Sequence, residues 1–247
     1  VLAAHREHIP VIIHESDMTP GLANKICIPY ANKVCCNFPE TVAMIPDGKG
    51  ILTGTPIRAE LSQGDRQTGL DLCHFTSNKP VIMVIGGSLG AQHVEAIRSI
   101  LPSLLERFQV VHLCGKGKVD ESFYSTTGYY QFDYIDKELK DLFAAADIVV
   151  SRAGANAIFE LLSLNKPNLL IPLPAGASRG DQILNAQSFK KQGFSMVLPE
   201  EELTNESLYL AICNLYEHRA EYIDCMKKSS GNDSIKQIVA LINEASK

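Results

Sequence analysis

The second half of the chain alternates short apolar runs with longer amphipathic stretches, and this alternation predicts its architecture. Runs rich in β-branched residues predict strands at 81–85, 110–113, 130–132, 148–151, 169–171 and 196–198. Helical spacing of apolar positions predicts helices at 92–105, 139–146, 155–164 and 182–191. Strands that alternate with helices of this length are typical of a doubly wound parallel sheet, so the predicted fold class is α/β.

The first third of the chain carries the same patterns in shorter pieces. One helix is predicted over 22–29, and apolar runs predict strands at 11–14 and 34–36. The run 51–53 leads into the segment 54–58. The segment 62–78 is polar with few periodic apolar residues, so we interpret it as a surface excursion. Beyond residue 200, apolar spacing predicts helices at 205–216, 220–226 and 235–242.

Composition narrows the classes of function. A formal net charge of −5 over 247 residues gives no basic face, so nucleic acid is not an expected partner. The seven cysteines form no CxxC pair and are typical of reduced thiols in a cytosolic protein. No apolar run approaches the ~18 residues of a membrane span, so any membrane contact is expected to be peripheral. Because the chain begins at Val1 with no initiator Met, we expect it to be a fragment.

The stretch 147–185 carries the strongest chemical signal. The predicted strand at 148–151 turns at Gly154 into a helix on which Asn156 and Glu160 share one face. Free N–H groups and the positive end of the helix dipole favour a phosphate there, and Glu160 is placed to accept hydrogen bonds from ribose hydroxyls. A nucleoside diphosphate has both features. The alternative is that Gly154 only makes a turn and Glu160 faces solvent.

Two further helix starts follow predicted strands. Asp181 and Asn185 share one face of the helix that begins near residue 181, after the strand at 169–171. The run 86–91, Gly-Gly-Ser-Leu-Gly-Ala, opens the helix after the strand at 81–85, and its backbone and Ser88 are placed to meet phosphate oxygens. This run matches neither the dinucleotide-binding GxGxxG pattern nor a Walker loop.

The order of these residues resembles the MurG family of bacterial glycosyltransferases, which add N-acetylglucosamine to the lipid-linked muramyl-pentapeptide precursor of peptidoglycan. Ser-Arg-Ala-Gly-(x5)-Glu at 151–160 and Asp-Gln-(x2)-Asn-Ala at 181–186 match its donor-nucleotide signature. Further matches lie at 14–17, 21–25, 54–58, 86–91 and 134–136. The match at 14–17 is incomplete, because Ser16 and Asp17 stand where the family has Gln and Asn.

The resemblance implies a donor site for UDP-N-acetylglucosamine. In it, backbone groups of Ile135 read the uracil, Glu160 binds the ribose and Arg58 meets the diphosphate. The residues that the resemblance assigns to this site are Asp17, Arg58, Ser88, Ile135, Arg152, Gly154, Ala155, Asn156, Glu160, Asp181, Gln182 and Asn185. Asn185 has a second interpretation, as a brace for the loop.

The resemblance also implies a GT-B fold, in which a doubly wound donor domain follows the end of a second Rossmann-like domain. The expected divisions are 1–57 for the end of the acceptor domain, 58–228 for the donor domain, and 229–247 for a terminal helix that returns to the acceptor domain. The family's Gly-rich loop, Gly-Gly-Thr-Gly-Gly-His, is expected upstream of Val1.

The implied reaction inverts the sugar in a single displacement, with no cofactor and no obligatory metal, since the chain has no Asp-x-Asp signature. The catalytic base is open: the family's histidine belongs to the upstream loop, and His14 and Glu15 are candidates in this chain. We therefore expect these 247 residues alone to bind donor without transferring sugar.

The implied partners are UDP-N-acetylglucosamine, the undecaprenyl-linked acceptor and the cytoplasmic face of the bacterial membrane. Two alternatives stay open. One is another UDP-sugar enzyme of the same architecture, such as a glycolipid galactosyltransferase or a UDP-N-acetylglucosamine 2-epimerase. The other is a nucleotide-binding module without catalysis, which Ser16 and Asp17 favour.

Overall fold

The computed structural model describes residues 1–86, 92–176, 179–229 and 234–246, and it contains two parallel β-sheets. The smaller sheet has the order β1-β2-β3, with β1 (Ile12–Glu15), β2 (Lys33–Cys36) and β3 (Gly50–Leu52). The larger sheet consists of β4 (Val81–Ile85), β5 (Gln109–Leu113), β6 (Tyr129–Phe132), β7 (Ile148–Ser151), β8 (Asn168–Leu170) and β9 (Met196–Val197).

Helices connect most of these strands. The α-helices are α1 (Leu2–Arg6), α2 (Leu22–Cys27), α3 (Pro39–Met44), α4 (Arg66–Leu72), α5 (Gln92–Ser99), α6 (Leu101–Arg107), α7 (Leu139–Ala145), α8 (Ala155–Ser163), α9 (Asp181–Lys191), α10 (Asn205–Glu217), α11 (Arg219–Ser229) and α12 (Ser234–Ala245). Short 3-10 turns lie at Ile28–Tyr30, Pro46–Gly48, Ala59–Gln63, Glu121–Phe123 and Glu200–Glu202. None of the helices in these ranges is long and apolar enough to cross a membrane.

The larger sheet has the strand order β6-β5-β4-β7-β8-β9, and all of its pairs are parallel. The chain therefore starts in the middle at β4, builds outward to β6, and then returns to β7 on the other side. This is the order of a doubly wound nucleotide-binding fold, in which ligands lie beyond the carboxyl ends of the strands where the direction reverses. The α/β prediction is confirmed, and the reversal lies between β4 and β7.

The central strands of this sheet are apolar on both faces because helices cover both. One face packs against α5, α6 and α10 and includes Ile82, Val84, Val110, Ile148 and Val150. The other packs against α4 and α7 and includes Val81, Met83, Val111 and Val149. Alternate residues of a strand point to opposite faces, so each buried strand supplies both cores. These two cores hold the carboxyl edge of the sheet in place.

The interpretation of 62–78 as a surface excursion is wrong. The segment contains α4, and Leu70 is 1% exposed in the core beneath α7. A Cβ built at Gly69 would lie 2.1 Å from the carbonyl oxygen of Asp141, and one at Gly64 would lie 2.0 Å from that of Lys140. The glycines let the two backbones touch. They also remove apolar side chains from the pattern, which is why the pattern did not reveal a packed helix.

The helix predicted over 92–105 is divided into α5 and α6. Pro102 lies in the first turn of α6, where its missing N–H costs no hydrogen bond, but where it prevents a continuous helix from Gln92. The helices α1 and α3 were not predicted, since each has only five or six residues.

The two sheets meet through aromatic side chains. The ring of Phe38, which follows β2, lies 5.1 Å from the ring of Phe159 on α8 and 6.0 Å from that of Phe189 on α9, between centroids. Ile158 of α8 and Leu170 of β8 are buried in the same cluster. We call the larger sheet with its helices one unit, and the smaller sheet with its helices the other. The contact fixes how the carboxyl edge of the smaller sheet faces α8 and α9. The division of the chain at residues 57 and 228 stays an interpretation.

Candidate nucleotide-sugar site

The start of α8 lies at the point where the larger sheet reverses direction. Gly154 precedes the helix with extended backbone, and no side chain in the described parts of the chain caps the first turn, so its N–H groups remain available to a ligand. Ala155 is buried, whereas Asn156 is exposed. Beside them Gly86 directly follows β4, and a Cβ built there would lie 2.7 Å from the carbonyl oxygen of Leu113. This crowding requires glycine at the neighbouring strand end.

Ser88, which the sequence assigned to the phosphates, lies outside the described residues. Among the described residues, the site at this strand end is formed by the start of α8 and the residues that face it.

Glu160 lies one turn into α8 and pairs with Arg58. Nη2 of Arg58 is 3.5 Å from Oε1 of Glu160, and Nη1 is 3.9 Å from Oδ1 of Asp136. Burial raises the pKa of Glu160, and the charge of Arg58 opposes that rise. In this pair Arg58, which is predicted to bind the diphosphate, contacts Glu160, which is predicted to bind the ribose. Because Arg58 is half exposed, the ion pair contributes little to stability and leaves both groups able to bind a ligand.

Ile135 lies after β6 and directly precedes Asp136, the second carboxylate near Arg58. Its side chain is half-buried against the core that α4 and α7 cover. Neither its N–H nor its carbonyl has a hydrogen-bond partner in the described parts of the chain. Core packing and backbone recognition therefore occur in one residue: the side chain anchors it, and the main-chain donor and acceptor stay open to a planar base.

The start of α9 follows β8 and is held by its surroundings. Gly180 has φ of 82°, in the left-handed region that glycine adopts without strain. Asp181 accepts a hydrogen bond from Oγ1 of Thr19 at 3.1 Å and pairs with Nη2 of Arg179 at 2.8 Å. Oε1 of Gln182 accepts from the N–H of Leu173 at 3.1 Å, and its side-chain nitrogen has no partner among the described residues. Gln182 thus has a free donor for a sugar hydroxyl.

Asn185 is fully buried and its side chain joins three segments. Its Oδ1 accepts from the N–H of Met18 at 3.0 Å, and its Nδ2 donates to Oδ1 of Asp17 at 3.1 Å and to the carbonyl of Ala153 at 3.2 Å. Of the two interpretations of Asn185, the geometry favours the brace, because every polar atom of the amide is engaged within the protein.

Asp17 lies on the same contact. Burial raises the pKa of Asp17 most, the hydrogen bond from Asn185 lowers it, and the nearby carboxylates of Asp181 and Glu15 raise it further. Its carboxylate is turned to Asn185, so the structure assigns it first to the contact between the two sheets.

Arg152 points into the protein, which argues against its predicted contact with the ligand. It is 7% exposed, its Nη1 donates to the carbonyl of Ile171 at 3.0 Å, and the same nitrogen forms an ion pair with Glu200. Successive side chains along a strand point to opposite faces of the sheet. The side chain of Arg152 crosses to the end of β8 instead of facing the cleft. Arg152 supports the loops after β7 and β8.

Glu15 is also committed to the fold. It is 4% exposed; Oε1 accepts from the N–H of Asp17 at 3.0 Å, and Oε2 accepts from the N–H of Gly21 at 2.9 Å and from Nδ2 of Asn24 at 2.8 Å. With three hydrogen bonds to Asp17, Gly21 and Asn24, the carboxylate holds the loop that follows β1. The structure argues against Glu15 as the base.

His14 is exposed at the end of β1. Its Nε2 lies 3.3 Å from the carbonyl oxygen of Gly54, on the segment that leads to Arg58. It remains the candidate base within this chain. Among the residues that the structure describes, no group of three His, Cys, Asp or Glu side chains could hold a metal ion.

Comparison with known proteins identifies the family. The C-terminal domain of glycosyltransferase family 28 matches residues 81–241. A protein of Lachnospira eligens is 62% identical over 248 residues, which covers 100% of this chain and 70% of the relative. A protein of Clostridium novyi is 52% identical over 249 residues with the same coverage. Both are named UDP-N-acetylglucosamine--N-acetylmuramyl-(pentapeptide) pyrophosphoryl-undecaprenol N-acetylglucosamine transferase.

The chain belongs to the MurG family.

Solved structures confirm the predicted GT-B architecture. MurG of Acinetobacter baumannii superposes with a TM-score of 0.70 at 24% identity, over 98% of this chain and 69% of that one. The calicheamicin glycosyltransferase CalG4 superposes with a TM-score of 0.64 at 14% identity, over 97% of this chain and 69% of that one. At these identities the likeness concerns the fold, and the fold of a MurG-family transferase is what the two sheets form.

Sequence reasoning missed two residues at this site, Thr19 and Arg179. Both contact Asp181, and a Cβ at Gly21 would lie 3.5 Å from Nη1 of Arg179. Arg179 stands directly before the Gly-Asp-Gln start of α9, which was a usable signal. Thr19 lies in no motif, and only the tertiary structure brings it to α9.

Proposed function

We propose that this chain binds UDP-N-acetylglucosamine and takes part in transferring its sugar to the undecaprenyl-linked N-acetylmuramyl-pentapeptide. The names of relatives 52–62% identical over the whole chain state this reaction. One observation carries the proposal for the site: at the reversal point of the sheet, an uncapped helix start is followed one turn later by the half-buried carboxylate of Glu160.

The donor would lie across the carboxyl edge of the larger sheet. The first-turn N–H groups of α8 would bind the diphosphate, because they carry partial positive charge and have no partner among the described residues. Glu160 would accept hydrogen bonds from the ribose hydroxyls, and the open main-chain groups of Ile135 would read the uracil. The free side-chain nitrogen of Gln182 would donate to a hydroxyl of the sugar.

The contact of Arg58 with Glu160 suggests how that residue would act. When a diphosphate is present, the guanidinium has a stronger charge to pair with than the single carboxylate. When no ligand is present, Glu160 holds it near the site. Arg58 would therefore be poised beside the ribose and would share its five donors between Glu160 and the nucleotide.

The transfer itself would be a single displacement. The acceptor hydroxyl attacks the anomeric carbon, the bond from that carbon to the diphosphate oxygen breaks, and UDP leaves with the electron pair. The charge that develops on the diphosphate would be stabilised by the N–H groups at the start of α8. The proton of the acceptor hydroxyl passes to a base. Because Glu15 is engaged by three hydrogen bonds, His14 and the family's upstream histidine are the two candidates.

The acceptor also determines where the reaction takes place. An undecaprenyl chain is apolar and stays in a bilayer, so the transferase would meet its acceptor at the cytoplasmic membrane surface as a peripheral protein.

The proposal is tested by measuring the transfer of labelled sugar with and without the acceptor. The complete gene product is incubated with labelled UDP-N-acetylglucosamine and lipid-linked muramyl-pentapeptide, and the lipid product is separated and identified. We expect one N-acetylglucosamine to be added to the lipid. Release of free sugar, epimerisation of the donor, or transfer only to a glycolipid would contradict the proposal and favour another UDP-sugar enzyme.

The candidate bases are separated by one variant. His14→Ala in the complete gene product should reduce turnover by less than about tenfold if the upstream histidine is the base, because general base catalysis contributes about 10²–10⁴-fold. A loss of 10²-fold or more, with unchanged UDP affinity, would assign the proton transfer to His14.

A further inference from the structure

A cavity of about 300 Å³ lies between the two sheets, and Phe159, Leu162 and Ser163 of α8 line it. The smaller sheet's unit contributes Phe38, and the larger sheet's unit contributes Phe159, Phe189 and Phe194. The ring of Phe159 lies 5.2 Å from that of Phe189, which in turn lies 5.6 Å from that of Phe194, between centroids. One part of the wall is therefore formed by aromatic rings in edge-to-face contact, and a planar apolar guest would extend that arrangement.

Two buried oxygens at this cavity have no hydrogen-bond partner among the described residues. One is Oδ1 of Asn37, a residue that is 3% exposed and whose Nδ2 is already used, donating to the carbonyl of Ser16 at 2.9 Å. The other is Oγ1 of Thr55. Both residues line the cavity. A buried polar atom without a partner is costly, so a guest that donates a hydrogen bond here gains more than an apolar guest of the same shape.

The described lining favours an uncharged guest. No charged side chain is among the cavity's described lining residues, so a carboxylate, phosphate or ammonium would lose its hydration without gaining a counter-charge. An uncharged molecule with one hydroxyl fits the rings and the free oxygens together. Oδ1 of Asn37 accepts only, whereas the hydroxyl of Thr55 both donates and accepts.

We propose that this cavity is a second ligand site, which binds a small neutral aromatic molecule that carries a hydroxyl group. It is separate from the nucleotide site, although the two share α8: the helix begins at the predicted phosphate contact, and its later residues Phe159 and Leu162 line the cavity. A guest here contacts both sheet units and the segment at Gly54 and Thr55 that leads to Arg58. It therefore ties the two units together without occupying the donor's position.

Fluorescence titration tests the site with 2-naphthol as the probe and naphthalene as its matched analogue without the hydroxyl. The chain has no tryptophan, so probe emission is free of interference from protein indole. We expect saturable binding of 2-naphthol, in the presence of saturating UDP, and binding of naphthalene about fivefold weaker, which is the effect of one ordinary hydrogen bond.

Two variants locate the bound probe. Thr55→Val keeps the shape of the side chain, and we expect it to weaken 2-naphthol about fivefold while leaving naphthalene unchanged. Leu162→Phe fills the cavity, and we expect it to weaken both probes at least tenfold. The matched control is Leu210→Phe, which adds the same ring at an exposed helical position outside the cavity and should leave both affinities as they are. Thermal melting of each variant verifies that it is folded.

Three results would overturn the proposal: no saturable binding of 2-naphthol, unchanged binding to a folded Leu162→Phe variant, or displacement of the probe by UDP. The outcome is independent of the proposed transferase activity. A chain that binds 2-naphthol but not UDP would retain this site and lose the nucleotide site.

Discussion

The starts of α8 and α9 have the same sequence pattern and different roles. Each follows a strand of the larger sheet, each is preceded by a glycine, and each carries two polar residues four positions apart. At α8 the first turn has no cap and Asn156 is exposed, so the polar groups face outward. At α9 Asp181 and Asn185 contact residues 17–19, in the loop that follows β1.

The difference shows that a polar helix start becomes a ligand site only where the rest of the fold leaves it open. The loop that follows β1 lies over α9. The Asn185 carboxamide and the Asp181 carboxylate of the helix form hydrogen bonds to this loop. At α8 no described side chain caps the first turn, and the partner of Glu160 is the half-exposed Arg58. Function at the two helix starts therefore depends on what packs beside them, which sequence spacing does not record.

The largest expected effect separates the two arginines that precede these helices. Arg152 forms a buried pair with Glu200, whereas Arg179 is 65% exposed in its pair with Asp181. Arg152→Met leaves a buried carboxylate without its partner and should lower the free energy of unfolding by about 3–5 kcal/mol. Arg179→Met should lower it by less than about 1 kcal/mol. Urea unfolding of both variants measures the difference, and equal losses would mean that Arg152 is not a structural residue.

Glu160 tests the open helix. Hydrogen bonds to a charged group are worth roughly 1.5–3 kcal/mol, so Glu160→Gln should weaken UDP binding about 10- to 100-fold. The control is Glu201→Gln, an exposed carboxylate that should not alter UDP affinity. Calorimetry with UDP and ADP gives both numbers, and ADP should bind the parent chain more weakly than UDP. Unchanged UDP affinity in folded Glu160→Gln would reduce Glu160 to a surface charge.

Asn185 tests the braced helix. Asn185→Ala leaves the N–H of Met18 and the carbonyl of Ala153 without their partner, so the free energy of unfolding should fall by about 1–3 kcal/mol. UDP affinity of the folded variant should change by less than about threefold, the opposite of the pattern at Glu160. Chemical unfolding and calorimetry on one preparation measure both. A large loss of affinity with full stability would return Asn185 to the ligand.

Gln182 lies between the two cases, since one end of its amide is engaged and the other is free. Gln182→Ala should weaken UDP-N-acetylglucosamine by about fivefold through the loss of one hydrogen bond, with UDP nearly unaffected. Competition calorimetry with both ligands measures the split. A parallel loss for the two ligands would assign Gln182 to the loop after β8 instead of the sugar.

The smallest effect concerns the pH dependence of the contact at α9. Because the pKa of Asp17 is raised in the folded state, the folded chain holds this proton more tightly, and stability falls as pH rises from the ordinary value of 3.8 through the raised pKa. Asp17→Asn removes that loss, so the variant should be slightly more stable than the parent at pH 7. The advantage should shrink as pH falls towards 4. A variant that is less stable at pH 7 would mean that the charge of Asp17 strengthens the contact.

The larger sheet was predictable from sequence because its strands are local. β4, β5 and β7 are buried on both faces, so each had to be a short continuous apolar run, and the helices between them had to carry an apolar stripe. The observed strand bounds agree with the predicted ones to within about a residue. The uncapped turn at Gly154 and the position of Glu160 one turn later also follow from spacing alone, since both lie within a single helix.

Only the tertiary structure decided which polar groups are free. Arg152 turned inward because Glu200, which is 48 residues away in sequence, lies beside it. Asn185 became a brace because Met18, 167 residues away, supplies a backbone N–H. The helix α4 was hidden because Gly69 within it and Gly64 before it pack against carbonyl groups of α7 and leave no apolar pattern. Hydrogen bonds and ion pairs act over a few ångströms in space whatever the distance along the chain, so sequence spacing can identify a polar helix start but cannot say what covers it.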